Sequence, residues 1–273
     1  MIRKRSLIAL DLDGTLLTDD KNISLETREY LKNLENEGHL VVLCSGRAIR
    51  SVKDYYDLIG LKKSPFIAYN GHYAANFNDP NFVPIVHKLN KDSITKAYRD
   101  LIDVGLVDSV MSENENTICI DKDDFFLFAF YNTENMRILK GPLDETIKQD
   151  MFTFVMRLKY PNDETANKEL INIVENENKG LKVRIWYEGE YAEFYTSGVS
   201  KSNTISEVAK EYDIDKNDVF VFGDADNDRE MLTDYKNSFA MINGAPHLHK
   251  IANNVTEKDN NNNGVITELK KYF

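Results

Sequence analysis

"LIALDLDGTLL", residues 7–17, carries four apolar residues straight into Asp11 and Asp13, one leucine apart, and then into Gly14. The apolar run predicts a short buried strand. Along extended backbone, residues i and i+2 point the same way, so these aspartates share a face if strand geometry persists past Ala9; the turn at Gly14 loosens the arrangement. Two carboxylates held together without a cation repel, and one keeps a proton. A divalent metal removes most of that penalty. Magnesium takes oxygen ligands, keeps several waters and commonly lies between protein carboxylates and a substrate phosphate. The plainer alternative is turn chemistry, because Asp-Gly favours tight turns.

A second stretch near the other end repeats the pattern. "VFVFGDADNDREML", residues 219–232, runs through Gly223 into three aspartates and an asparagine within five positions. Alone it reads equally as a strand, a turn and a helix with an acidic start. Between the two stretches, "LETREYLKNLENEG" (25–38) predicts a helix closed by Gly38, and "HLVVLCSGR" (39–47) a strand ending in a polar loop. Residues 48–58 predict another helix and "PFIAYNG" (65–71) a third strand. From Lys201 the alternation resumes, with helix 202–212, strand "DVFVFG" (218–223), helix 228–234, strand "SFAMI" (238–242) and a helix from about 245. Buried strands joined by helices predict a parallel sheet covered on both faces, with ligands outside the carboxyl ends of its strands.

The middle of the chain differs. After two short strand candidates, "YAANF" and "FVPIVHK", a helix is expected over 90–104 and a charged one over 162–178. "SVMS", "NTICID", "FFLFAFY", "MFTFVMRLKY" and "KVRIWYEGEYAEFY" read as strands, the last a hairpin turning at Glu188, Gly189 and Glu190. Clustered strands predict a separate sheet with a wetted or helix-covered face. The expected fold is therefore α/β: a doubly wound, Rossmann-like parallel-sheet core from residues 1–83 and 193–273, with an α+β domain inserted at 84–192. "EKDNNNNGV" (257–265) reads as a surface loop closed by Gly264.

A chain of 273 residues can form one large or two moderate domains. Its net charge of -11 gives no general reason to bind nucleic acid or an acidic membrane. Asp11 interrupts the N-terminal apolar run too early for a signal-peptide core, and no apolar stretch reaches a membrane span of roughly 18 residues. Cys44 and Cys119 each lie in an apolar run, so buried free thiols and a cytoplasmic setting are expected.

Each candidate functional group follows a predicted strand or opens a helix. Asp11 and Asp13 follow the first strand, Ser45, Gly46 and Arg47 the second, Asn70 and Gly71 the third, and Asp224 to Asp228 the strand at 219–222; Lys201 starts a helix. Taken singly, Ser45 with Gly46 reads as a helix cap, Asp224 to Asp228 as an acidic cap, and Lys201 as one lysine among many. Jointly they match phosphoryl transfer, which needs an in-line nucleophile, a cation at the phosphate oxygens, donors for the equatorial oxygens and a proton carrier. Aspartate is a competent nucleophile toward phosphorus. His247 and His249 share the spacing of a ligand pair, but on a helix those positions do not face each other.

"DLDGTLL", "LCSGR", "SK" at 200–201 and "GDADNDREML" together resemble the haloacid dehalogenase superfamily, and more narrowly its Cof-type phosphatases, which carry a large inserted α/β cap. "SFAMINGAP" and the asparagine-rich patch resemble that subfamily's closing segments. The resemblance implies that Asp11 is the nucleophile and Asp13 the general acid/base. Ser45, Gly46, Lys201 and Asn227 would bind the phosphoryl group. Mg2+ would be held by Asp11, the backbone carbonyl of Asp13 and Asp224, with Asp228 supporting that shell and Asp226 facing elsewhere. Arg47, Asn70 and Gly71 would contact substrate. Ser202 and His72 depart from the residues common in the family.

The expected activity is magnesium-dependent hydrolysis of a small phosphorylated metabolite, a sugar phosphate or phosphorylated cofactor, through a phosphoaspartyl intermediate. The alternatives are a phosphomutase or phosphotransferase and a non-catalytic phosphate-responsive module. A monomer or weak homodimer is expected. Arg157, Arg184 and Tyr187 are candidate substrate contacts in the inserted domain.

Overall fold

The structure is a computed structural model that describes residues 5–131, 133–186 and 189–273, the side chains of 129–131 excepted. The chain divides into two compact units. One comprises the chain up to Val86 together with Ser200–Phe273, the other His87–Val199.

The first unit begins with β1 (Leu7–Leu10), α1 (Leu25–Asn36), β2 (Leu40–Cys44), α2 (Ile49–Ile59), β3 (Phe66–Ala68), β4 (Tyr73–Ala75) and β5 (Ile85–Val86). Ser24 caps α1 by accepting from Thr27 N, and Gly60 ends α2 in the left-handed conformation. In the second unit stand α3 (Lys91–Asp103), β6 (Val107–Glu113), β7 (Thr117–Ile120), α4 (Phe125–Tyr131), β8 (Arg137–Lys140), α5 (Leu143–Thr146), β9 (Thr153–Leu158), α6 (Glu164–Ile171), β10 (Leu181–Ile185) and β11 (Tyr191–Thr196). The chain then returns to the first unit with α7 (Lys201–Glu211), β12 (Val219–Gly223), α8 (Arg229–Asp234), β13 (Asn237–Ala240), β14 (Asn254–Val255) and α9 (Gly264–Leu269).

The core sheet has the order β14-β13-β12-β1-β2-β3-β4-β5. It is parallel from β14 to β3, and β4 and β5 join antiparallel, so the doubly wound sheet is mixed at one edge. Leu7, Ala9, Leu40, Val42 and Val221 face Ile205 and Val208 of α7 and Met231 and Leu232 of α8. Alternation turns Ile8, Leu10, Val41 and Leu43 to the opposite face, where α1, α2 and α9 lie, and all four are fully buried. Burying such side chains contributes about 1.5–3 kcal/mol each. β12 and β13 bring Phe222 and Phe239 into a stack with centroids 4.6 Å apart.

The second unit's sheet has the order β10-β11-β9-β6-β7-β8. One face is covered by α3, α5 and α6 through Ile94, Leu101, Leu143 and Leu170, which pack with Phe154, Met156 and Phe194. The expected hairpin forms, with Ile185 opposite Ala192; Glu188 lies outside the described residues. β11 continues past residue 192, where the insertion was expected to end, because it pairs with both β10 and β9 and carries this unit on to Val199.

Two sequence expectations are corrected. "FFLFAFY" is the helix α4, not a strand. Its unbroken apolar and aromatic run has no period to decide the matter. The decision comes from Asp124, whose carboxylate accepts from Leu127 N at 3.1 Å and whose carbonyl accepts from Phe128 N at 3.0 Å. The helix expected from about 245 is only a 3-10 turn over Leu248–Lys250, and β14 follows it. No helix among the described residues is long and apolar enough to cross a membrane.

Candidate active site

Parallel pairing brings the ends of β1, β2, β3 and β12 to one edge of the core sheet. Asp11 continues the β1–β12 ladder by one bond, its N donating to Phe222 O at 3.1 Å, and so leaves the strand already buried. Lys201, the first residue of α7, donates from Nζ to Asp11 Oδ1 at 2.5 Å and to Asp228 Oδ1 at 2.6 Å, with its side chain fully buried. An ammonium at a helix N-terminus opposes the helix dipole, so this burial needs a carboxylate partner, and Lys201 has two.

Asp228 spans the turn after β12. Its Oδ2 accepts from Asp224 N and Ala225 N at 2.9 and 3.1 Å, while its other oxygen serves Lys201. Asp224 Oδ1 accepts from Thr15 Oγ1 at 2.8 Å. Oxygens of Asp11, Asp224 and Asp228 all lie within 4.8 Å of one another. Gly14 makes that approach possible, since a Cβ there would stand 2.3 Å from Asp224 Oδ2 and its φ of +74° suits glycine.

Three carboxylates thus crowd around one buried ammonium. Burial pushes the Asp11 carboxyl well above its ordinary range, against the pull of Lys201, and the charges of Asp228 and Asp224 add to the rise. Burial and the Asp228 charge push Asp224 up to about 7. For Lys201 burial alone would favour the neutral amine, but Asp11 and Asp228 outweigh it and the net shift is upward. The surplus negative charge and the hard oxygen donors fit a divalent cation, which would remove the surplus.

Asp13 takes different partners from Asp11. Its backbone stays extended and Gly14 then turns left-handed, and its carboxylate receives Arg47 Nε at 2.6 Å, an Arg47 terminal nitrogen at 2.7 Å and Lys21 Nζ at 2.7 Å. Burial would raise this carboxyl, but the hydrogen bonds and charge of Arg47, then those of Lys21, hold it at about 2. The two carboxylates thus take separate partners: Asp11 is buried on Lys201, and Asp13 is partly exposed on Arg47 and Lys21.

The remaining candidates gather around the turn after β3. Ser45 is buried and its Oγ accepts from Arg47 N at 3.2 Å. Ser45 O accepts from Asn70 N, and Asn227 Nδ2 donates to Asn70 Oδ1 at 2.9 Å. A Cβ on Gly46 would stand 3.0 Å from the Asn70 amide, and one on Gly71 2.4 Å from Ser200 O. All the candidates of the first unit thus meet at one sheet edge.

A family model for haloacid dehalogenase-like hydrolases matches residues 8–269. The chain belongs to that family. It is 31% identical over 274 residues to the 5-amino-6-(5-phospho-D-ribitylamino)uracil phosphatase YitU of Bacillus subtilis, covering 100% of this chain and 99% of the relative. It is 26% identical to the phosphatase YwtE of the same organism, which has the same activity name, covering 94% of each chain. Among solved structures, the Thermotoga maritima protein TM0651 shares the fold with a TM-score of 0.78 at 21% identity, covering 98% of each chain. Family membership makes the chain an enzyme, a hydrolase.

Several residues of this haloacid dehalogenase-like hydrolase escaped sequence reading. Lys21 and Thr15 reach Asp13 and Asp224, but a lysine or threonine in a loop carries no signal of its own. Asn243 Nδ2 donates to Gly14 O at 2.7 Å, and Asn260 N to Asn243 Oδ1 at 3.1 Å. The asparagine-rich loop, read as simple surface, therefore clasps the segment after β1. The histidine spacing is no ligand pair: His247 Nε2 lies 2.6 Å from Asp226 Oδ1, and His249 Nε2 donates to Met241 O. In the second unit Arg184 donates to Glu193 at 3.2 Å and lies over Tyr195, while Arg157 lies 3.8 Å from Asp124. Tyr187 falls outside the described residues.

Proposed function

We propose that this hydrolase is a magnesium-dependent phosphatase that cleaves a small phosphomonoester through a phosphoaspartyl intermediate on Asp11. The observation that carries this reading is the buried Lys201 Nζ shared by Asp11 and Asp228, with Asp224 beside them and negative charge in surplus. Asp11 and Asp224, with the Asp13 backbone carbonyl, would hold the metal, and Asp228 would brace that shell. When bound, the cation neutralises the carboxylates and the phosphoryl oxygens that approach them.

Lys201 fixes the Asp11 carboxylate through Oδ1, which directs the other oxygen toward phosphorus. Ser45, the backbone at Gly46, Lys201 and Asn227 receive the phosphoryl oxygens. Asp13 protonates the departing alcohol and then takes a proton from the water that hydrolyses the acyl phosphate. Two buried free thiols, Cys44 and Cys119, support a reducing, cytoplasmic setting.

Three relatives named for the same substrate, YitU, YwtE and the Escherichia coli protein YbjI, are 31%, 26% and 25% identical to this chain. Their substrate, a phosphate ester on a ribityl chain, belongs to the class read from the sequence. Phosphate release from 5-amino-6-(5-phospho-D-ribitylamino)uracil, beside a panel of sugar phosphates, tests the reading. Turnover should need Mg2+, and Ca2+ should support little, because looser coordination misplaces the phosphate. Full activity after thorough metal stripping, or isomeric products without free phosphate, would overturn it.

A further inference from the structure

The turn after β3 contains three consecutive residues with left-handed backbone: Tyr69 at φ 50°, Asn70 at φ 53° and Gly71 at φ 102°. Glycine adopts this region freely, asparagine tolerates it, and a bulky aromatic does not. Such strain persists only where the surroundings over-determine it, and it concentrates at functional sites. Here the surroundings are the site's own loops. Tyr69 N donates to Arg47 O at 3.1 Å and Asn70 N to Ser45 O at 3.0 Å. Thr204 Oγ1, on the lysine helix α7, donates to Gly71 O at 2.7 Å. The Tyr69 carbonyl accepts from His72 N at 3.1 Å, and His72 Nδ1 lies 2.8 Å from it, which gives the departure at His72 a structural role in pinning the turn.

One side chain leaves this brace toward the acidic loop. Asn70 Oδ1 accepts from Asn227 Nδ2 at 2.9 Å, and Asn70 is buried. An asparagine amide nitrogen has two N–H groups. Spending one on Asn70 fixes which end of the Asn227 amide faces the reaction site, and leaves the second N–H for an anionic oxygen. Turned over, the same amide would present its carbonyl to the phosphate and repel it.

We propose that Asn70 is a positioning residue, which acts by orienting the Asn227 amide toward the phosphoryl group and not by touching the substrate. This rests on the phosphatase reading above. It assigns Asn70 a role through Asn227, where the sequence led to the expectation of a direct substrate contact, because the Asn70 side-chain oxygen accepts from Asn227 Nδ2.

The test is a double-mutant cycle in the full-length enzyme loaded with Mg2+, with inorganic phosphate as the competing anion. N70G deletes the side chain and keeps the left-handed backbone. It should lower kcat/KM about 10- to 100-fold, as loss of a supporting partner does, and raise the inhibition constant for phosphate by a similar factor. The Mg2+ concentration for half-activation should change less than about twofold, whereas general loosening of the site would move both. In an N227A background N70G should cost less than about twofold more. Equal losses in both backgrounds, or a parallel loss of Mg2+ affinity, would overturn the proposal. Should N70G fail to fold, N70S, whose hydroxyl falls short of Asn227, runs the same cycle under the same criteria. Unchanged enzyme that releases phosphate from no substrate overturns the phosphatase reading and this inference with it; an active enzyme with an additive cycle overturns only the inference.

Discussion

Arg47 grips Asp13 through two hydrogen bonds, Nε to Oδ2 at 2.6 Å and a terminal nitrogen to Oδ1 at 2.7 Å, and Lys21 adds a third contact at 2.7 Å. A carboxyl held at about 2 is ionised at neutral pH and has no proton to give. Its use as an acid therefore requires that Arg47 let go. The arriving phosphate dianion is the natural competitor for the guanidinium, which binds both anions in the same forked geometry.

Asp13→Asn should slow both halves of the reaction by about 10²- to 10⁴-fold, because it removes the acid of the first and the base of the second. A substrate with a very good leaving group needs little protonation. With it, phosphoenzyme should form and then persist on Asp11 in a rapid-quench experiment. Unchanged rates with ordinary and activated substrates alike would move the proton-transfer role elsewhere.

Asp11→Asn should abolish turnover without lowering the stability of the metal-free protein. The amide cannot form the acyl phosphate, and the change removes one of three crowded carboxylates while Lys201 keeps Asp228 at 2.6 Å. Thermal denaturation in a chelator should show a melting temperature equal to or above that of the unchanged protein. A large drop would show that the Lys201–Asp11 pair is indispensable to folding.

Asp224 sets the sign of a pH effect. Its folded value of about 7 exceeds that of an unfolded aspartate, about 4. The native state thus holds the proton more tightly, and this group's stabilising contribution, complete below about pH 4, is lost as pH rises through about 7. Melting in chelator should show that decline, to which the raised Asp11 also contributes, and Asp224→Asn should make it shallower. With Mg2+, which binds the ionised form, the stabilisation by metal should grow over the same interval. The same pH slope in Asp224→Asn as in the unchanged protein would exclude Asp224 as its source.

Glu35 tests the scaffold. Its buried carboxylate accepts from Lys62 N at 2.8 Å, Lys63 N at 3.0 Å, and Ser64 N and Oγ at 2.8 and 2.7 Å, which fixes the connection between α2 and β3. Glu35→Ala strands several donors at about 1–3 kcal/mol each, and should destabilise by at least about 3 kcal/mol in urea unfolding. Glu35→Gln, which keeps one accepting oxygen, should fall between. A loss under about 1 kcal/mol would mean that water replaces the carboxylate there.

By itself the sequence determined where the strands end and what chemistry stands at each end. Val219–Gly223 and Leu7–Leu10 are legible because a buried strand must be apolar until it leaves the sheet, and the first aspartate marks where each run stops. Three such ends, carrying carboxylates and a serine-glycine loop, together with a helix-opening lysine specify the reaction class. Only the tertiary structure decided which of those groups touch. The strand order β12-β1-β2-β3 gives Lys201 to Asp11 across 190 positions of sequence and Arg47 to Asp13, and places Asn70 between Ser45 and Asn227. It also turned the asparagine-rich loop into a clasp. Periodicity records only which side of an element is buried. Partners far apart in sequence are chosen by the pairing of whole strands, and no local pattern of side chains encodes that pairing.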